Sequence, residues 1–229
     1  MALHQLSGPR LPPARGQATH LVVLAHGYGA DGNDLIGLAP MWQRLLPTVA
    51  FVAPNAPEPC SAGLGYQWFP ISRIDPTEMA RGVEGAAATL ENFLEAELAR
   101  LNLTGDKLAL VGFSQGTMMS LHVGLKRAVK PAAIVGYSGL LADQKPQIGA
   151  DAPPVLLIHG DADPMIPVGA LFASAATLGG AGVGVQWHIA PGVGHSIDET
   201  GLSLGGEFLT RAFRGQLARK DAQISCPVA

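Results

Sequence analysis

The chain has 229 residues, of which 48% are hydrophobic and 14% charged, with a net charge of −3. That balance is opposite to the one that keeps a chain disordered, and the length suits one α/β domain with a sizeable core. No run of Lys or Arg is long enough to track a phosphate backbone, which argues against nucleic acid as a partner. No apolar stretch is long enough to span a bilayer, which argues against stable membrane insertion.

In chain order, residues 1–18 are rich in proline, lack an apolar signal core and are expected to be an N-terminal extension. Apolar runs then follow at Leu21–Ala25, Ala50–Ala53, Leu108–Val111, Ala133–Val135, Val155–Ile158 and Val185–Ile189. Most are continuously apolar, the pattern of strands buried on both faces of a parallel sheet. Helices are expected between them. Pro76 and Thr77 open one that runs to about Leu101. Its buried stripe is Met79, Val83, Ala86, Leu90, Phe93, Leu94 and Leu98. Ser114–Lys126 and Glu199–Leu217 are two more. Strands alternating with helices predict an α/β fold, a doubly wound, mostly parallel sheet with helices on both faces and no large lid. Residues 219–229 are expected to form a flexible tail of a single domain spanning 1–229. The cysteines, Cys60 and Cys226, are far apart, which fits a reducing, cytoplasmic setting. The ending Cys226-Pro227-Val228-Ala229 has the spacing of a prenylation box, but Pro227 fits it poorly and no basic run precedes it.

In such sheets the ligand site lies at the carboxyl ends of the strands. There the chain carries Gly112-Phe113-Ser114-Gln115-Gly116, after a strand and at the start of a helix. The five-residue pattern alone is weak evidence; its position at a strand-to-helix turn gives it weight as a nucleophile elbow. A serine needs a base. His195, in Gly192-Val193-Gly194-His195, follows the last strand and falls at the same sheet edge. His26 and His159, also at strand ends, are expected to hydrogen-bond backbone instead. An acid must orient the imidazole. Asp161 and Asp163 both follow the fifth run, and the order Ser, acid, His is that of α/β-hydrolases. Residue chemistry alone leaves either aspartate open. An oxyanion hole would combine the N–H of Gln115 with one from the loop His26–Gly32.

Four segments together, Leu24-Ala25-His26-Gly27-Tyr28-Gly29-Ala30-Asp31, Gly112–Gly116, His159-Gly160-Asp161-Ala162-Asp163-Pro164-Met165-Ile166-Pro167 and Gly192–His195, resemble the phospholipase/carboxylesterase family, which includes bacterial carboxylesterases and acyl-protein thioesterases. The resemblance runs from about Leu21 to Leu217. It implies that Asp163 is the acid and that Tyr28 supplies the first-loop oxyanion N–H, where the family usually has an aliphatic residue. It also implies hydrolysis of a small-molecule ester by Ser114, His195 and Asp163 without metal or organic cofactor. Pro70 follows Trp68-Phe69 where the thioesterases have aspartate, which favours a bacterial type of esterase over protein depalmitoylation, and a chain too short for a large lid predicts a preference for short to medium acyl esters. A thioesterase or lysophospholipase using the same triad, and a non-catalytic binding protein, are the alternatives. A homodimer is left open. Within the long connection Pro54–Asp75, Leu64, Tyr66, Trp68 and Phe69 are expected to line an apolar trough for the acyl chain, with pinning of the loop to the core as the competing role for Trp68 and Phe69.

Overall fold

The computed structural model describes residues 6–60, 65–73, 75–143, 146, 148–149 and 151–217. Leu64, the tail 219–229 and the Cys226 box lie outside them. The elements are β1 (Arg10–Leu11), β2 (His20–Ala25), α1 (Gly32–Ile36), α2 (Ala39–Gln43), β3 (Val49–Val52), β4 (Glu58–Pro59), β5 (Tyr66–Gln67), α3 (Pro76–Leu101), β6 (Leu108–Phe113), α4 (Gln115–Lys126), β7 (Ala133–Tyr137), β8 (Val155–Gly160), α5 (Gly169–Gly180), β9 (Val185–Ala190) and α6 (Glu199–Phe213). All six expected strands form.

The sheet order is β1-β3-β2-β6-β7-β8-β9, with every pairing parallel except that of β1 with β3. Successive side chains along a strand point to opposite faces. Leu21, Val23, Leu108 and Leu110 therefore pack under α3, α4 and α5, whereas Val22, Leu24, Ala109 and Val111 pack under α1, α2 and α6. The chain runs from β2 outward to β3, then returns to place β6 on the other side of β2. The order thus reverses between β2 and β6, and the crevice at their carboxyl ends is where such a sheet holds its ligand. Ala25 and Phe113 end those two strands, directly before His26 and Ser114.

Asp75 caps α3 by accepting from the Thr77 and Glu78 amides, and Pro76 occupies its first turn, where a missing N–H costs nothing. The predicted stripe is buried along its whole length, joined by Glu97. That carboxylate accepts from Arg10 at 2.6 Å and Arg100 at 2.7 Å. This ion pair and the β1 pairing tie the N-terminal segment to the core. Three helices escaped the sequence reading. Helices α1 and α2 have only five residues each, and α5 is built mostly of Ala and Gly, which blurs any apolar stripe. Among the described residues, no helix is long and apolar enough to cross a membrane.

Candidate active site

Ser114 sits between the last residue of β6 and the first of α4 with φ 54° and ψ −116°, a conformation that costs an L-residue strain. The turn is so sharp that its glycines are obligatory. A Cβ on Gly112 would lie 2.3 Å from the Gly116 carbonyl oxygen, and one on Gly116 would lie 1.8 Å from that of Ala25. The Ser114 N–H donates to the Tyr137 carbonyl at 2.9 Å, and the Thr117 hydroxyl bridges the carbonyls of Gly112 and Tyr137 at 2.8 and 2.9 Å. The elbow is therefore fixed to β7, its neighbour in the sheet.

Beyond β8, the two aspartates separate in role. Asp161 is exposed, and its Oδ1 accepts the Gly192 N–H at 2.6 Å, pinning the start of the histidine loop. Asp163 is buried. Its Oδ1 accepts from the N–H groups of Met165 at 2.8 Å and Ile166 at 3.0 Å, and its Oδ2 lies 2.7 Å from His195 Nδ1. Gly160 lets the histidine loop close on β8, since a Cβ there would meet the Val193 carbonyl oxygen at 2.1 Å. The His195 ring packs on that of Phe113, the residue before Ser114, with centroids 4.9 Å apart. The structure thus joins Asp163 to His195 and seats His195 beside the elbow. His159 bonds backbone as expected, its Nε2–H donating to the Ile166 carbonyl at 2.8 Å. It also reaches Asp163 Oδ2 at 3.2 Å.

Burial of Asp163 opposes its ionisation, but the N–H of Ile166, the His195 imidazole and the N–H of Met165 outweigh it and hold the carboxyl below the ordinary aspartate pKa. A folded-state pKa below the unfolded one means that the ionised form stabilises the fold. That contribution is complete above the unfolded value, about pH 4, and is lost as pH falls through the lower folded value. Asp163→Asn is accordingly expected to flatten the loss of stability on acidification below about pH 4. Urea unfolding of both proteins between neutral pH and this acid range checks it, and equal slopes would contradict it.

The first loop passes directly over the elbow. A Cβ on Gly27 would lie 3.3 Å from Ser114 Cβ and 3.1 Å from the Phe113 ring, so Tyr28 follows a residue that leaves little room for a side chain beside Ser114. Gln115 is fully buried at the first position of α4, where a backbone N–H has no partner within the helix. Its side chain, unnoticed in the sequence, accepts from the Trp68 N–H at 2.9 Å and donates to the Phe69 carbonyl at 2.7 Å.

The expected acyl trough is not what Trp68 and Phe69 form. Both are buried, at 1% and 4% exposure. The Trp68 indole N–H donates to the His26 carbonyl at 3.0 Å, and the Phe69 ring fills the space where Gly82 of α3 lacks a side chain. Tyr66 is half-buried and braces the first loop, donating to Ala30 at 2.7 Å and accepting from Gly29 at 2.9 Å. The segment is a clamp: Trp68 and Phe69 are buried in one core cluster with Met79 and Val83 of α3. Phe69→Ala is therefore expected to cost about 3–5 kcal/mol of stability, as core Phe deletions do. The acyl-chain profile of any residual activity should stay unchanged. Thermal unfolding beside an ester panel checks this; a shifted profile at an unchanged melting temperature would restore the trough.

Comparison with known proteins agrees with this geometry. A family model described as Phospholipase/Carboxylesterase matches residues 8–212. The chain is 32% identical over 208 residues to Acyl-protein thioesterase 1 of Gibberella zeae, covering 82% of this chain and 88% of the relative. It is 26% identical over 192 residues to Esterase YpfH of Escherichia coli, covering 84% and 82%. Among solved structures, esterase PE8 is similar with a TM-score of 0.86 and 41% identity, over 93% of this chain and 100% of that one.

Proposed function

The chain belongs to the phospholipase/carboxylesterase family of α/β-hydrolases, and from that premise we propose that it is a serine carboxylesterase acting on short to medium acyl esters through an acyl-enzyme. The observation that carries the reading is the 2.7 Å contact between Asp163 and His195 beside the Ser114 elbow. Asp163 holds the proton on His195 Nδ1, which leaves Nε2 as the base. Ser114 Oγ attacks the ester carbonyl as Nε2 takes its proton. The N–H groups of Tyr28 and Gln115 stabilise the oxyanion. The carbonyl–oxygen bond then breaks, and His195 returns the proton to the leaving alcohol. Water, activated by the same Nε2, hydrolyses the acyl-serine.

The acyl chain needs an apolar berth. Gly139 follows β7 against the elbow, since a Cβ there would lie 2.8 Å from the Ser114 carbonyl oxygen. The next residues, Leu140, Leu141 and Ala142, enter a cavity of about 400 Å³ completed by Met79 of α3 and by Ala170 and Ala173 of α5. A cavity of this size suits butyrate or hexanoate better than palmitate. Ala173 is exposed on α5, so a larger side chain there fills space without disturbing the core. Ala173→Phe is expected to lower kcat/KM for p-nitrophenyl hexanoate and to leave acetate unchanged. Equal losses on both esters would remove this cavity from the acyl site.

The thioester reading has its own support in the 32% identity to an acyl-protein thioesterase. Oxygen and thio esters bearing the same acyl group separate the two. Faster turnover of the oxygen ester is expected.

A further inference from the structure

His26 stands outside the triad, fully buried at the end of β2, and both of its ring nitrogens are engaged. Nε2 accepts the N–H of Ala56 at 2.9 Å, so the ring proton resides on Nδ1, 2.7 Å from the Gly27 carbonyl oxygen. Burial pushes the pKa of His26 down, although its bond to Gly27 pulls the other way, so the imidazole stays neutral and keeps this tautomer at neutral pH. The Gly27 carbonyl belongs to the same peptide unit as the Tyr28 N–H. A trans peptide is planar, and its N–H points opposite to its C=O. Whatever fixes the direction of the Gly27 carbonyl therefore fixes the direction of the Tyr28 N–H. The peptide before it is held as well, because the His26 carbonyl accepts the Trp68 indole N–H at 3.0 Å.

We propose that His26, as a neutral imidazole protonated on Nδ1, is a positioning residue that aims the Tyr28 N–H at the developing oxyanion, with Trp68 bracing the peptide unit before it. The proposal rests on the reading of Tyr28 as an oxyanion donor. It gives the clamp Tyr66–Phe69 a catalytic consequence without contact with the substrate. Ala56, which supplies the tautomer-fixing N–H, lies just beyond β3, so the imidazole is held from β3 while Trp68, just after β5, holds the preceding peptide.

Two substitutions separate positioning from mere support. The side-chain amide N–H of Asn reaches the place of Nδ1 and can donate to Gly27. The amide oxygen of Gln reaches the place of Nε2 and can accept from Ala56, leaving the Gly27 carbonyl only the longer bond from the Ala30 N–H at 3.3 Å. Each variant loses one buried hydrogen bond, so both are expected to lose melting temperature alike. Turnover of p-nitrophenyl butyrate should differ. His26→Gln is expected to lower kcat on the order of 10²-fold with KM little changed, the signature of a lost oxyanion donor. His26→Asn should recover most of that loss. Should His26→Gln fail to fold, Trp68→Phe is read in its place, and a drop in kcat at constant KM is expected. Equal kcat for the Asn and Gln variants, a loss confined to KM, or an unaffected Trp68→Phe read in place of an unfolded Gln variant would overturn the role of His26. Activity that survives Ser114→Ala would instead overturn the underlying assignment, and this inference with it.

Discussion

Ser114→Ala is expected to lower kcat for p-nitrophenyl butyrate by about 10³-fold or more while the protein keeps its melting temperature. The large effect follows from removing the atom that forms the acyl-enzyme in the proposed mechanism. The small structural effect follows from the elbow itself. Its conformation is set by backbone, through the Ser114 N–H to Tyr137 and the close approaches at Gly112 and Gly116, and none of these involves the hydroxyl. Alanine and serine face the same strain at φ 54°. Residual activity above about a tenth of wild type would place the nucleophile elsewhere.

The second large effect is a contrast between neighbours. Asp163→Asn is expected to cost up to about 10⁴-fold in kcat. Two backbone N–H groups hold Oδ1, so the amide of an asparagine must turn its NH₂ toward His195. Nδ1 would then accept rather than donate, the ring proton would move to Nε2, and the base would be lost. Asp161→Asn keeps an oxygen for the Gly192 N–H and should stay within about an order of magnitude of wild type. Parallel kcat measurements on the two variants check the ranking, and the reverse order would assign the acid to Asp161.

Much of this was legible before the fold was known, and the reasons are physical. Strands buried on both faces must be apolar throughout, so β2, β6 and β8 announce themselves. The elbow needs glycine at fixed offsets because backbone passes within 2.3 Å of where a Cβ would be. The direction in which a loop aromatic points has no such signature. Trp68 and Phe69 read equally well as trough or clamp, and Gly82, which the Phe69 ring covers, looks no different in sequence from Gly85, which faces open space. The choice between Asp161 and Asp163 was similar. Two carboxylates two residues apart in a loop are equivalent by spacing, and the amides of Met165 and Ile166, which decide which one turns inward, are invisible as letters. His26 was readable as a backbone-bonding histidine, but its link to the direction of a neighbouring N–H emerges only from the peptide plane.

The activated serine is tested most directly by intact mass measurement after treatment with a fluorophosphonate, followed by peptide mapping. Phosphonylation displaces fluoride by Ser Oγ and requires the hydroxyl to be deprotonated by its base. One adduct is expected, on Ser114, formed far more slowly in His195→Ala. An adduct on another residue, or ester hydrolysis by a protein that takes no label, would contradict the assignment of Ser114, His195 and Asp163 as the working triad.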